Sequence, residues 1–128
     1  MRLIDSSVIV KFFSEEPGWE GLREYLYTPI SIELSMKELG SALLKKVRKD
    51  ELDEETAIEI LDRCPSIFRY VEQKKNISKA FEIAKKHNTS IYDAMFIASA
   101  MKDGYELLTC DKRQAEVARK EGVKTLEV

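Results

Sequence analysis

Histidine occurs once in this chain, tryptophan once, cysteine twice and proline three times, and each scarcity closes off a class of chemistry. A serine or cysteine hydrolase needs a histidine base beside its nucleophile, and the sole His87 stands near a helix end, where it reads as a surface residue satisfying the helix dipole. Cys64 and Cys110 are too few for a disulfide scaffold and lack the paired spacing of a zinc site, so both read as reduced and structural. Five glycines, none grouped into a phosphate loop, exclude a nucleoside triphosphate site of the usual kind. No uncharged run approaches the roughly 18 to 20 apolar residues of a membrane span, and Met1-Arg2-Leu3-Ile4-Asp5 has no signal-peptide core; a cytoplasmic protein without membrane contact is expected. Charge of one sign is also missing: 21 Lys and Arg face 23 Asp and Glu for a net −2. A chain that grips nucleic acid by overall charge is thereby excluded, although local basic clusters can still hold phosphates.

What is present is an ordinary globular composition, 44% hydrophobic and 34% charged over 128 residues. With no repeat, low-complexity tract or linker, one domain over residues 1–128 is expected. The apolar pattern alternates between short runs and helical spacing. Residues 2–4, 29–32, 66–71, 106–109 and 125–128 read as strands. Helices are expected after a cap at Ser6 or Ser7, from Pro17 to Leu26, over 35–48, after a cap at Asp53, over 77–86, over 92–101 up to Gly104, and over 112–120. Strands separated by helices predict a mainly parallel central sheet covered on both faces, a three-layer α/β/α sandwich. In such sheets the ligand crevice lies beyond the carboxyl ends of the strands.

Four acids fall where that rule puts a site. Asp5 follows the first strand, Asp111 follows the 106–109 strand, and Glu38 and Asp93 lie in what read as the first turns of helices. Each has a plainer reading: Asp5 and Asp111 as helix caps, Glu38 as a first-turn acid favoured by the dipole. Asp93 is harder to explain that way, because residues 94–101 carry no charge and a carboxylate against them loses hydration. Carboxylates gathered at one place repel unless a divalent cation bridges them, which points to Mg²⁺- or Mn²⁺-assisted phosphodiester hydrolysis.

The motifs around these acids resemble the PIN domain family, and more narrowly the small VapC-type ribonucleases of toxin–antitoxin pairs. Leu3-Ile4-Asp5-Ser6-Ser7 is similar to the family's opening strand, acid and hydroxyls. Glu38-Leu39-Gly40-Ser41-Ala42 is similar to its second motif, Ile91-Tyr92-Asp93-Ala94 to its third, and Leu107-Leu108-Thr109-Cys110-Asp111 to its fourth. The resemblance implies a PIN-like fold and an endoribonuclease that binds one or two Mg²⁺ or Mn²⁺ ions through Asp5, Glu38, Asp93 and Asp111. Ser7 and Thr109 match supporting polar positions. It also implies a small antitoxin partner and a homodimer, alongside RNA as substrate. An RNA-processing nuclease outside a toxin pair, and a catalytically silent or receiver-like module, stay open as alternatives.

Several further residues bear on the substrate. Lys11, Lys45, Lys46, Arg48, Lys49, Lys112 and Arg113 follow the acids in sequence and are candidates for phosphate contact, with solvated surface charge as the plainer role. Tyr92 and Trp19 can stack bases, although core or interface packing is the expectation for both. Phe12, Phe13, Trp19, Tyr25 and Tyr27 are candidates for either core or partner surface. Glu33 is a rival to Glu38, five residues away.

Overall fold

Leu3 and Ile4 are adjacent in the first strand and both are buried, at 0% and 2% exposure. Successive strand residues point to opposite faces, so this strand must be covered on both sides. The computed structural model, which describes residues 1–128, shows how. Strand β1 (Arg2–Ile4) pairs in parallel with β4 (Glu106–Thr109), Leu3 opposite Leu107 and Ile4 opposite Leu108. Strand β4 pairs in parallel with β5 (Thr125–Glu127) on its other side. A second parallel pair, β2 (Ile30–Ser31) with β3 (Arg69–Tyr70), lies beside β1, and Ser31 Oγ donates to the Ile4 carbonyl at 2.7 Å across the seam.

Leu3 and Leu107 belong to one apolar cluster with Ile83, Phe96 and Val117; Ile4 and Leu108 belong to another with Val8, Ile9, Leu39 and Leu43. Helices α4 (Ile77–His87), α5 (Ile91–Asp103) and α6 (Lys112–Lys120) supply the first layer, and α1 (Ser6–Phe13), α2 (Leu34–Arg48) and α3 (Glu54–Arg63) the second. The expected α/β/α sandwich is therefore the fold, with the strand alternation deciding which layer each residue feeds. Helix α5 is its innermost element: Ala94 through Ala100 are all buried, as an uncharged run demands. Ser90 caps it and Gly104, at φ 67°, ends it.

Local details depart from expectation where backbone chemistry overrides apolar spacing. Trp19–Leu26 is a 3₁₀ helix, entered through Gly18 at φ 88°, and Pro17 lies in the turn before it instead of in its first turn. Of residues 66–71 only Arg69–Tyr70 pair as a strand, because a 3₁₀ turn containing Pro65 runs through Ile67. Asp53 sits at the N-cap of α3 without a side-chain capping bond. His87 is no surface residue: its side chain is 9% exposed and Nε2 lies 2.6 Å from Glu121 Oε2. Trp19 packs edge-on against Phe12, and Phe12, Phe13 and Tyr25 join the second core, leaving Tyr27 (76%), Phe81 (64%) and Tyr92 (58%) as the exposed aromatics. For Tyr92 this exposure excludes packing in the core and leaves an interface as the packing role.

Candidate active site

Asp5 continues β1 by one step. Its N–H donates to the Leu108 carbonyl at 2.9 Å, which clamps its backbone against β4 while its extended φ and ψ put it at the N-cap of α1. The carboxylate does no capping, however. Oδ2 accepts hydrogen bonds from Thr109 Oγ1 at 2.7 Å and Ser7 Oγ at 2.9 Å. Each hydroxyl has one proton to give, so the 3.2 Å contact between Ser7 and Thr109 is not itself a hydrogen bond. As acceptors, Ser7 Oγ takes the Cys110 N–H and Thr109 Oγ1 takes the Asp111 N–H. The opening motif and the end of β4 are thus stitched together, and Asp5 Oδ1 is left without a protein hydrogen bond at the wall of a cleft.

Neither Ser6 nor Ser7 caps α1, contrary to expectation. Adjacent helical residues point roughly 100° apart, so while Ser7 reaches β4, Ser6 reaches α2 and donates to Glu38 Oε1 at 2.7 Å. Glu38 itself lies a turn inside α2, which starts at Leu34 and has no acid in its first turn; the helix dipole does not account for it. Glu33 is exposed, ion-paired with Lys37, and outside the cleft, which removes it as a rival.

Asp93 stands in the first turn of α5, where its N–H donates to Ser90 Oγ at 3.0 Å. Asp111 caps α6 as the plainer reading required, Oδ1 accepting from the Gln114 N–H at 3.0 Å. Gln114, which sequence reasoning passed over, also donates through Nε2 to the Asp93 carbonyl at 2.9 Å and so fixes one acid against the other. It is 3% exposed, and its Oε1 is the one buried side-chain oxygen or nitrogen left unpartnered. Gln114 shares the apolar face of α6 with Val117 and Ala118, three and four residues on, and a polar side chain on that face was the available signal.

All four predicted acids meet in one open cleft of about 370 Å³, lined also by Ser6, Ser7, Val10, Lys11, Glu16, Ala42 and Cys110. The cleft is short of positive charge. None of Asp5, Glu38, Asp93 and Asp111 takes part in an ion pair. Burial pushes the Asp5 carboxyl up to about 6; repulsion from Asp93 and Glu38 adds to this, and the Thr109 and Ser7 hydroxyls oppose it. Burial likewise raises Glu38 and Asp93, Asp93 repelling the first and Asp111 the second, with the Ser6 and Ser90 hydroxyls working against the rise. Yet no three such side chains converge closely enough to hold one ion as they stand, which corrects the expectation of a tight four-acid cage. Of the basic candidates, Lys11 lines the cleft and Lys46 reaches its rim through Glu16, whereas Lys45, Arg48, Lys49, Lys112 and Arg113 do not line it.

An α/β/α sandwich with a cation-poor acidic cleft at the carboxyl ends of its parallel strands is the class that fold and site define. This chain belongs to the PIN domain family, whose profile matches residues 2–120. It is 34% identical over 92 residues to Ribonuclease VapC3 of Pyrobaculum aerophilum, 67% of this chain and 68% of that one. It is 36% identical over 80 residues to Ribonuclease VapC1 of Mycobacterium tuberculosis, 61% of this chain and 59% of the relative. Among solved structures, PAE2754 from Pyrobaculum aerophilum superimposes with a TM-score of 0.77 at 21% identity, covering 97% of this chain and 87% of that one. VapBC2 from Rickettsia felis, bound to a DNA fragment from its promoter, gives 0.70 at 12% identity, covering 98% and 97%. At these identities the structures speak for the fold.

Proposed function

We propose that this chain is an endoribonuclease that uses Mg²⁺ or Mn²⁺ in the acidic cleft, and the toxin of a toxin–antitoxin pair. The observation that carries the reading is the pinned, uncompensated carboxylate of Asp5 facing Glu38, Asp93 and Asp111 across one cleft. It is supported by the names of the two ribonuclease relatives and by the toxin–antitoxin complexes among the structural neighbours.

The donor set suits a hard cation. It is all oxygen, lacks a competing ammonium or guanidinium on any carboxylate, and keeps Asp5 Oδ1 unengaged. Mg²⁺ takes only one or two direct carboxylates and retains several waters, so the wide spacing of the acids agrees with coordination partly through water. Asp5 and Asp93 are the direct ligands in this reading, and Glu38 and Asp111 act through water or hold a second ion. Such an ion, when bound, lowers the pKa of water and offsets charge on the phosphate. The chain's own contribution is orientation: two hydroxyls fix Asp5, Ser6 fixes Glu38, and Gln114 fixes Asp111 relative to Asp93. In this reading one of the carboxylates orients the attacking water, and Glu38 has an oxygen for it in Oε2, which Ser6 does not hold.

The partners belong to the same reading. Ile77 and Phe81, exposed one turn apart on α4, give an apolar face of the kind a protein partner covers, whether antitoxin or second copy, and the cytoplasm is where such an RNA-directed pair would act. Purified protein should cleave transfer or ribosomal RNA with Mn²⁺ and stop with chelator, and Asp93→Asn should abolish cleavage while retaining the native circular dichroism spectrum. An Asp93→Asn protein that cleaves normally ends the assignment. A folded wild type that binds Mn²⁺ but leaves every RNA intact favours the silent alternative, which draws on the same spread of the acids.

A further inference from the structure

The cleft runs on past its carboxylates. Along α2, Glu38, Ala42 and Lys46 are spaced four residues apart and form one stripe. Glu38 and Ala42 line the cleft, and Lys46 lies at its far rim, ion-paired at 3.2 Å with Glu16, which also lines it. Opposite, α1 has Asp5 at its head and turns Val10 and Lys11, in its second half, into the same cleft. Val10 and Ala42 offer nothing to a phosphate, and past them the charges are Lys11 and Lys46 with a single acid, Glu16, between the four carboxylates and the open end. Eight helical residues rise about 12 Å, more than one backbone step of a nucleic-acid strand.

Both ends of the basic pair are built. Lys11 enters no ion pair. Its amine rests against Gly18, where a Cβ would lie 3.4 Å from Nζ, and φ 88° there is a conformation only glycine takes easily. Glu16 is folded back by its N–H on the Lys11 carbonyl at 3.0 Å, while the Ser14 hydroxyl gives its one proton to the Val10 carbonyl. Half-exposed pairs such as Glu16–Lys46 add little to stability, and this one puts a fifth carboxylate where an anionic strand would pass.

We propose that Lys11 and Lys46 form a second phosphate subsite, for a backbone phosphate about two nucleotides from the scissile bond of single-stranded RNA, and that Glu16 occupies Lys46 until that phosphate displaces it. The inference rests on the ribonuclease reading of the same cleft. It makes a strand that ends short of the subsite a poor substrate, and it gives the cleft a polarity, metal end to lysine end.

The test is binding of a short fluorescein-labelled single-stranded RNA of mixed sequence to the full chain carrying Asp93→Asn, in Mg²⁺, across a salt series. Lys11→Met and Lys46→Met should each lower the slope of log affinity against log salt by about 0.7. Glu16→Gln should tighten binding, and Lys79→Met, on α4 outside the cleft, should leave the slope alone. Because Lys46→Met strands Glu16, the Lys46→Met/Glu16→Gln pair is measured too, with a melt for each variant. Slopes identical to the parent in both lysine variants, or weaker binding in Glu16→Gln, overturn the subsite. Wild type that cleaves no RNA in Mg²⁺ or Mn²⁺, while the lysine slopes fall, overturns the ribonuclease reading and leaves the subsite standing.

Discussion

Asp5→Asn should make this protein more stable at neutral pH while removing its activity, and the size of the gain follows from the site. A carboxyl whose pKa is raised from 3.8 to about 6 by burial holds its proton in the folded chain across a range where the unfolded chain has lost it. Between about pH 4 and pH 6 the folded state therefore binds more protons, and stability falls as pH rises through that window. Above it the full penalty applies: about two units, or roughly 3 kcal/mol at 1.36 kcal/mol per unit. Asparagine keeps the shape, and its Oδ1 can still accept from Thr109 and Ser7 while its amide N–H groups face Glu38 and Asp93 instead of repelling them. Burying the amide has its own cost, so a gain of about 1 to 3 kcal/mol is expected, or about 3 to 10 °C in melting temperature for a domain of this size. The assay is thermal denaturation of both proteins from pH 4 to pH 8. The gap should grow by about 3 kcal/mol from the acid end to its plateau, starting between zero and about 2 kcal/mol against the variant, opening through pH 5 to 6 and levelling off above. Added Mn²⁺ should raise the wild-type melting temperature at pH 7.5 and leave Asp5→Asn where it was, because binding to the folded state alone stabilises it. A variant less stable than wild type at pH 8, or a gap that ignores pH, would refute the charge argument.

Two other substitutions probe the supports. Thr109→Val removes the 2.7 Å donor to Asp5 and the acceptor for the Asp111 N–H; a loss of about 1 to 3 kcal/mol is expected in urea melts. Since that hydroxyl opposes the rise of the Asp5 pKa, the acid limb of the cleavage profile at limiting metal should also move to higher pH. Phe96→Ala empties the centre of α5, where the ring is fully buried, and should cost about 3 to 5 kcal/mol by denaturant titration.

Much of the layout was legible because two periodicities are written into the chain. The adjacent buried pairs Leu3-Ile4 and Leu107-Leu108 require helices on both sheet faces, and the uncharged run after Asp93 marks the innermost helix. Asp5 and Asp111 were legible as strand-end acids and Asp93 as a helix-head acid; Glu38 sits a turn deeper in α2 than its sequence reading put it, and all four line one cleft. What the sequence hid were properties of reach and backbone. Ser6 serves Glu38 across 32 positions of sequence, and Gln114 joins Asp93 to Asp111 through one side chain and one N–H. The 3₁₀ stretch after Gly18 carries an amphipathic pattern that fits an α helix equally well, and only the left-handed glycine before it tells them apart. His87 was misread because its partner, Glu121, lies past the end of another helix.

The choice of hydroxyls over cations as supports explains why the site is both ordered and needy. A lysine or arginine beside Asp5 would have fixed its position and cancelled its charge at once. Ser7 and Thr109 fix the position alone: their donors hold Oδ2, yet the pKa remains about 6 because dipoles only partly offset burial and the neighbouring acids. Under the proposed metal-assisted reading, part of that electrostatic deficit is free energy that a bound dication would recover, so charge that destabilises the folded chain would also add to its affinity for the ion. That deficit also sets where the basic side chains must stand. An ammonium paired with Asp5 would compete with such an ion, and in the proposed subsite Lys11 and Lys46, neither of them ion-paired with the four acids, would supply the positive charge that a polyanionic substrate needs.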